Sequence, residues 1–343
     1  MKRLLVLFTG GTIASGQGDG GKAPSKKRVD ELSVRLHEAL AGLPDVELVT
    51  AAPWGIPGLD SSSLRPSHWM EMTRLIAAEL ETGLSGVLVL HGTDTMANTA
   101  SWMDLCFGSL PIPMILTGSQ LTLDYVPEDA LVNLRGAARA CCFAPGGVWV
   151  YFNWKLFPGR SAHKRNSMNP DAFVSLGEPP LHFEPAWGLS GQASAGKRTL
   201  AVGYPRELDR LFNNPQRLNL VGERIRPVLC LPGCQPAFLG TEEFLILVGY
   251  GAGNADPAVL RQVAETYRDC QVKPQIIACS QAEEGRKEPD GYADVGLAGL
   301  KSEGFTVWGQ QSYSLEFVHA LCCYALATGL PPGPVLGRFL APC

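Results

Sequence analysis

Short apolar runs that alternate with helix-like stretches constrain the fold of this chain most strongly. Four such runs lie at residues 4–8, 86–90, 113–117 and 148–152. A strand that is buried on both faces reads as a nearly continuous apolar run, which is typical of parallel sheets. Helical patterns follow at Val29 to Ala41, Asp94 to Phe107 and Asp129 to Cys142. The alternation predicts a parallel α/β sheet with right-handed crossovers.

The length of 343 residues and a change of pattern near residue 183 predict two domains. The alternation decays over residues 184–224, which we interpret as a linker with some short strands. It resumes over residues 225–343. We therefore expect a larger N-terminal parallel-sheet domain at residues 1–183, followed by the linker and a smaller C-terminal α/β domain.

The composition argues against a nucleic-acid or membrane partner. The formal net charge is −4, and the short basic run at residues 22–28 contains no aromatic residue, so we interpret it as a solvated loop. No stretch approaches the roughly 20 apolar residues that span a bilayer. The apolar run at residues 4–8 is too short for a signal peptide. We expect a cytoplasmic protein.

The ten cysteines fit that compartment as reduced thiols. Cys141-Cys142 and Cys322-Cys323 are adjacent pairs in helix-like segments, a poor geometry for disulfides. Cys230 and Cys234 have neither the spacing nor the histidine partners of a zinc site. The sequence therefore predicts no metal site.

Four polar turns follow predicted strands or strand-like segments. They contain Thr12, Asp60 to Ser62, Thr93-Asp94 and TGSQ at residues 117–120. Ligands of open parallel sheets collect outside the carboxyl ends of the strands, near a switch point in strand order. Glycines before Thr12 and Thr93 let the backbone approach a ligand closely. We expect the two threonine turns to face each other across one site.

A threonine hydroxyl becomes a good nucleophile only when a base removes its proton. GxSxG is absent, and the candidate base is Lys164, which lies in a loop after a predicted strand. A Thr93–Lys164–Asp94 chain would then pass protons. Each residue also has a plainer explanation: Asp94 and Asp60-Ser61 as helix-start residues, Thr12 as a turn residue, Lys164 as a solvated side chain. Gly16 to Lys22 matches GxxxxGK, but Ala23 stands where a P-loop needs Ser or Thr.

Several of these segments resemble one known family. TGGTIA at residues 9–14 and HGTDTMANTA at residues 91–100 are similar to the two signature turns of the bacterial-type L-asparaginase/glutaminase family. The resemblance continues at TGSQ, at the GR…K loop of residues 159–164, at YGAGNAD of residues 250–256 and at Gly291-Tyr292. It is greater for the cytoplasmic type I branch than for the secreted branch.

The resemblance implies hydrolysis of L-asparagine to L-aspartate and ammonia. Thr12 matches the primary nucleophile of the family, and Thr93, Asp94 and Lys164 match its second-threonine triad. Asp60 and Ser61, with Asp94, match the residues that hold the α-amino and α-carboxylate groups of the substrate. The resemblance implies no metal or organic cofactor. It also implies a flavodoxin-like N-terminal domain, a smaller C-terminal α/β domain, and a homodimer or homotetramer with active sites at subunit contacts.

One departure from the family pattern lies after the first threonine. The loop there usually carries a tyrosine that orients or activates that threonine, but no tyrosine occurs between Thr12 and Asp60. Ser15, Lys22 and Ser25 occur instead. Alternatives therefore stay open: a related amidohydrolase acting on glutamine or D-asparagine, a non-catalytic protein that binds a small amino acid, and a tRNA-linked amidotransferase subunit. The last would be expected to carry an extra N-terminal domain.

Overall fold

A computed structural model describes residues 1–18, 21–43, 45–123, 129–186, 188–189, 206–283 and 295–343. The chain folds into two compact units, Met1–Leu208 and Asp209–Cys343. The division falls inside the stretch 184–224 that the sequence predicts as a linker. Part of the predicted linker and the Gly291-Tyr292 pair lie outside the described residues.

The N-terminal unit contains a large sheet and two small hairpins. Its strands are β1 (Lys2–Phe8), β2 (Ser15–Gly18), β3 (Gly21–Pro24), β4 (Val46–Ala51), β5 (Gly86–Leu90), β6 (Pro113–Thr117), β7 (Gly147–Phe152), β8 (Lys155–Pro158), β9 (Ala162–Lys164), β10 (Phe173–Ser175), β11 (Leu181–Glu184) and β12 (Gly188–Leu189). Its long helices are α1 (Lys26–Leu40), α2 (Pro66–Leu80), α3 (Met96–Phe107) and α4 (Ala130–Phe143).

The strand order of the large sheet explains where a ligand can bind. The order is β12-β11-β8-β7-β6-β5-β1-β4, and the pairs from β4 to β7 are parallel. In chain order, those five parallel strands have the flavodoxin-like arrangement 2-1-3-4-5, which confirms the predicted fold class. The chain moves from β1 to β4 on one side and then to β5 on the other. The gap between β1 and β5 is therefore the switch point.

Burial on both faces accounts for the apolar runs that define these strands. Every residue of β5, β6 and β7 is buried. Alternate residues of β1, such as Leu4 and Val6, pack in one core with α1 and α4. The helix α3 packs against β6 and β7, and α2 packs against α3. Helices therefore cover the sheet while leaving the carboxyl ends of its strands free to form turns.

The C-terminal unit is a smaller α/β domain. Its strands are β13 (Ile225–Leu229), β14 (Phe244–Gly249), β15 (Gln275–Ser280), β16 (Val307–Gly309) and β17 (Ala341–Pro342), paired in that order. The first four are parallel and β17 is antiparallel to β16. Its helices are α6 (Val221–Arg224), α7 (Pro257–Thr266), α8 (Ala298–Ser302), α9 (Leu315–Thr328) and α10 (Pro332–Leu336), and α5 (Arg206–Asn213) precedes them across the division between units.

The described part of the predicted linker contains one short strand, β12, and is helical from residue 206 onward. The helix α5 is followed by a 3₁₀ helix at Pro215–Leu220 and by α6. Leu208 and Leu211 are both buried, and their spacing of three positions places them on one helix face. Such a short apolar stripe gives little periodicity in a sequence rich in polar residues. No helix in the described residues is long and apolar enough to cross a membrane.

Gly136 in α4 tests how tightly this fold is packed. A β-carbon at Gly136 would overlap the hydroxyl of the buried Tyr151 in β7. We expect Gly136→Ala to lower the melting temperature, because overpacking costs about 1–3 kcal/mol and exceeds the roughly 1 kcal/mol gain in helix propensity. Gly299→Ala in α8 is the control, since nothing lies within 4 Å of its added carbon. Calorimetry that found Gly136→Ala as stable as wild type would contradict this packing.

Candidate active site

The turn that carries Thr12 leaves β1 at the switch point. Its start is fixed by Thr9, whose hydroxyl donates to the Leu90 carbonyl at the end of β5, 2.8 Å away. Gly10 and Gly11 follow with φ of 111° and 85°, values that favour glycine. Thr12 then begins a short 3₁₀ helix. Thr12 is partly exposed, so its hydroxyl is accessible to a ligand.

The two threonine turns lie against each other. A β-carbon on Gly11 would overlap the α-carbon of Gly92, the residue before Thr93. Only two glycines permit this approach of one backbone to another. The turn that carries Thr12 and the turn that carries Thr93 are therefore in direct contact, as the sequence predicts.

Thr93 and Asp94 occupy different environments although they are adjacent. The Thr93 residue is buried, whereas 63% of the Asp94 side chain is exposed. The helix α3 begins at Met96 with Thr95 in the cap position, and no side chain caps it. Asp94 is therefore not the cap of α3, which was one explanation that the sequence left open. Its carboxylate is directed instead toward other polar side chains.

Lys164 joins the hydroxyl of Thr93 to the carboxylate of Asp94. Its amine donates to Thr93 Oγ1 at 2.8 Å and to Asp94 Oδ1 at 2.6 Å. Lys164 ends β9, and only 15% of its side chain is exposed. The hydrogen bond from Lys164 is the main cause that lowers the pKa of Asp94 below its ordinary value. The Thr93–Lys164–Asp94 chain expected from the sequence is assembled in the structure.

Asp60 and Ser61 reach the same pocket from the loop after β4. Asp60 is exposed, and its Oδ1 accepts a hydrogen bond from the Ser62 N–H at 2.8 Å. Ser61 is buried, and its carbonyl accepts from the Thr95 hydroxyl at 2.8 Å. The Ser61 side chain packs directly on Gly92, since a β-carbon there would lie 2.5 Å from its hydroxyl oxygen. These contacts tie the Asp60–Ser61 turn to the second threonine turn.

All six predicted site residues line one small, polar cavity of about 130 Å³. The lining consists of Gly11, Thr12, Asp60, Ser61, Gly92, Thr93, Asp94, Gln120, Lys164 and Ser167. One amine, two carboxylates and four hydroxyls thus converge at the end of the sheet. Such a set can hold a small zwitterion, because carboxylates bind an ammonium group and amine, hydroxyl or N–H donors bind a carboxylate. Within the described residues, no group of three or more His, Cys, Asp or Glu side chains could hold a metal ion.

Gln120 is a pocket residue that the sequence did not single out. Its Oε1 accepts from the Thr93 hydroxyl at 3.1 Å, and its amide nitrogen donates to the Asn166 carbonyl at 2.9 Å. The buried carboxylate of Asp129 accepts from the Gln120 and Leu121 N–H groups. The position of TGSQ after β6 gave the turn, but nothing in the sequence indicated which of its side chains points at Thr93. Ser167 was missed in the same way.

The Thr93 hydroxyl consequently has a defined set of bonds. It accepts from Lys164 and donates to Gln120, so its proton points away from the amine in this arrangement. For Lys164 to take that proton, the amine must first be uncharged and the hydroxyl must turn toward it. The geometry therefore supports proton transfer between two groups that are already in contact.

His91 supports the turn that carries Thr93 through a hydrogen bond to its backbone. It is buried, and its Nδ1 lies 2.6 Å from the Gly92 carbonyl, to which it must donate. Its Nε2 accepts from the Thr99 hydroxyl at 2.9 Å, while Thr99 accepts from Trp69 Nε1. Burial lowers the pKa of His91 to about 4, so the imidazole is neutral at physiological pH. His91 therefore orients the Gly92–Thr93 peptide without adding charge.

Ser15 fixes the first turn rather than extending into the pocket. Its buried hydroxyl donates to the Gly11 carbonyl at 2.8 Å. Of the other residues that replace the expected tyrosine, the Lys22 side chain lies outside the described part of the chain. The contacts of Ser15 make it a structural residue of the Thr12 turn.

Comparisons with known proteins place the chain among its relatives. Residues 3–185 match the family model "Asparaginase, N-terminal". The chain is 30% identical to the L-asparaginase of Thermococcus kodakarensis over 88% of this chain and 86% of that protein, and 33% identical to L-asparaginase 1 of Escherichia coli K12 over 85% and 83%. The solved T. kodakarensis structure superposes with a TM-score of 0.74, 26% identity and coverage of 98% of this chain and 96% of that one.

A relative with a different name also matches. A glutamyl-tRNA(Gln) amidotransferase subunit of Haloquadratum walsbyi is 27% identical over 92% of this chain and 71% of that protein. The family model covers more than half of this chain, and the L-asparaginases match most of their own length. The chain therefore belongs to the bacterial-type asparaginase family of amidohydrolases.

The pKa of Asp94 reports on the central contact of the site. Because this pKa lies below the ordinary value, the small stabilisation from the ion pair of the mostly exposed Asp94 is present above a pH of about 4 and is lost as the pH falls. We expect Lys164→Met to raise the pKa of Asp94, since the hydrogen bond from the Lys164 amine is the main interaction that stabilises the charged carboxylate. NMR titration of labelled aspartates measures this. Arg165→Met is the control, because Arg165 is the adjacent cation and should leave the Asp94 pKa unchanged; equal shifts in both variants would contradict the assignment.

Proposed function

We propose that this protein hydrolyses L-asparagine to L-aspartate and ammonia, with Thr12 as nucleophile and a Thr93–Lys164–Asp94 relay. The observation that carries the proposal is the Lys164 amine, which contacts both Thr93 Oγ1 and Asp94 Oδ1 in the pocket that Thr12 lines. A hydroxyl, a potential base and a carboxylate in that order can move protons as a catalytic triad does. Family membership supports the same reaction.

In this mechanism the Thr12 hydroxyl attacks the side-chain amide carbon of asparagine. A C–O bond forms, the C–N bond breaks, and the nitrogen takes a proton and leaves as ammonia. Water then hydrolyses the acyl-enzyme ester, which releases aspartate and restores the hydroxyl. The Thr93–Lys164–Asp94 chain activates that water or relays its proton. Donors placed at strand-end turns stabilise the oxyanion of each tetrahedral intermediate.

The substrate is held at its two charged ends. The carboxylates of Asp60 and Asp94 line the same pocket and bind the α-ammonium group of the substrate. The Ser61 hydroxyl donates to its α-carboxylate. This assignment follows the resemblance to the family and agrees with the lining of the cavity. It explains why a small amino acid, rather than a polymer, suits the site.

The proposal extends to location and assembly. The enzyme is cytoplasmic, which is supported by the ten cysteines: all lie in described residues, and none is in a disulfide. It acts as a homodimer or homotetramer, as the resemblance implies, and without nucleic-acid or membrane partners, as the composition indicates. Light scattering of the purified protein measures the assembly.

We expect Thr12→Ala and Thr93→Ala each to lower the rate of ammonia release from L-asparagine by roughly 10³-fold or more, because removing one member of a catalytic unit disables the whole unit. The reason is the loss of the nucleophile in one variant and of the relay hydroxyl in the other. A coupled assay for ammonia measures the rate. Thr306→Ala is the control, since Thr306 is exposed in the C-terminal unit. If either active-site variant kept wild-type activity, its threonine would have no catalytic role.

A comparison of substrates separates the proposal from its alternatives. We expect ammonia release to be fastest with L-asparagine, and an extra methylene in L-glutamine to reduce kcat/KM by roughly 10–200-fold. Faster release from L-glutamine or D-asparagine would identify a different amidohydrolase. Binding of L-aspartate without ammonia release from any amide would identify a non-catalytic binding protein. Co-purification with a partner subunit and tRNA would support the amidotransferase alternative.

A further inference from the structure

A second, buried ion pair lies behind the pair formed by Lys164 and Asp94. Arg160 Nε is 3.2 Å from Asp104 Oδ2, and the two side chains are 7% and 0% exposed. Glu178, which is half exposed, lies 3.9 Å from the same nitrogen. Asp104 belongs to α3, and Arg160 precedes β9. The catalytic chain proposed above uses neither Arg160 nor Asp104.

The two ion pairs connect the same two segments at different points. The first segment contains Asp94 and the helix α3, with Asp104 near its end. The second contains Arg160, followed four residues later by Lys164. One pair therefore joins the segments at the site, and the other joins them near the end of α3.

Contacts near the buried pair show that the segments are closely packed there. The Ser101 hydroxyl donates to the Gly159 carbonyl at 3.2 Å. A β-carbon on Gly159 would lie 2.9 Å from the Ala100 carbonyl oxygen and 3.3 Å from Asp104 Cβ, so only glycine fits without a shift. The backbone before β9 therefore lies directly on α3.

We propose that Arg160 and Asp104 are positioning residues that fix the register of the Lys164 segment along α3. This inference rests on the proposed function, because it concerns the amine that serves the Thr93 relay. With Arg160 bound to Asp104, a shift of β9 along the helix would separate two buried opposite charges. The position of the Lys164 amine relative to Thr93 and Asp94 is thereby determined away from the pocket.

A purely stabilising role is the competing explanation, and it predicts something different. Removing one member of a buried ion pair leaves an uncompensated charge and destabilises a protein strongly, whereas replacing both by apolar residues of similar volume is often neutral. Stability alone should therefore recover in Asp104→Leu/Arg160→Met. The alignment of β9 along α3 should not recover, because methionine and leucine lack the opposite charges whose attraction favours one alignment of the two segments.

The experiment compares Arg160→Met, Arg160→Lys and the double variant Asp104→Leu/Arg160→Met with wild type. In the double variant we expect a melting temperature near wild type, but kcat for L-asparagine roughly 10- to 100-fold lower, since small misplacements of catalytic groups have effects of this size. KM should change less than kcat, because Asp60 and Ser61 are not displaced. Arg160→Lys should keep more activity than Arg160→Met, because it retains the charge.

Arg226→Met is the matched control, since Arg226 lies 3.5 Å from the buried Glu242 in the other unit and its loss should lower stability without lowering kcat. Recovery of both melting temperature and kcat in the double variant would overturn the proposal. A crystal structure of the double variant provides a measure that does not depend on activity. We expect Lys164 Nζ to move beyond hydrogen-bond distance of Thr93 Oγ1, more than about 3.2 Å. An unmoved lysine overturns the positioning role, whereas a wild-type protein inactive on L-asparagine contradicts only the proposed function.

Discussion

The contact between Gly11 and Gly92 is the constraint on which the rest of the site depends. It lies at the switch point between β1 and β5, where a flavodoxin-like sheet opens a crevice at its carboxyl edge. In this crevice the absence of side chains on both glycines lets the two backbones meet. Thr12 and Thr93 follow those glycines by one residue each, so two hydroxyls from different strands reach one small cavity. The backbone contact thus brings the Thr12 and Thr93 positions close together whatever side chains they carry.

Around that contact, burial and exposure are distributed so that each group can do a different task. His91 is buried and neutral, and it holds the Gly92–Thr93 peptide without charge. Asp94 is mostly exposed, and the hydrogen bond from Lys164 lowers its pKa further below the physiological range. A charged carboxylate at the mouth of the pocket can therefore bind an ammonium group and still contact the amine. The two roles that we propose for Asp94, binding the substrate and completing the relay, are therefore compatible.

The sequence predicted the parts of the molecule in which one strong physical signal dominates. Because β1, β5, β6 and β7 are buried on both faces, they occur in the sequence as apolar runs and could be predicted. The turns at the ends of such strands then identified Thr12, Thr93 and Asp94 as candidate site residues. The strands β8, β9 and β10 were not predicted, since all three are short and show no clear period; β8 pairs antiparallel within the large sheet, and β9 and β10 form a separate hairpin. Gln120 was missed for a related reason: its role depends on Asp129 holding its backbone, which is a tertiary contact. Lys164 was found because the chemistry needs a base and because the GR…K loop resembles that of the family.

The weakness of the Lys164–Asp94 ion pair is the reason for our proposal that the Lys164 segment is supported from elsewhere. An ion pair with a mostly exposed carboxylate contributes about 0–1 kcal/mol, which is too little to hold a strand in register. The hairpin of β9 with β10 contributes only a short ladder. Arg160 and Asp104, by contrast, are buried, and separating them would leave unpaired charges in a region of low dielectric constant. The two pairs therefore suit the separate roles that we propose for them: the solvent-accessible pair can exchange contacts with substrate and protons, whereas the buried pair is shielded from both.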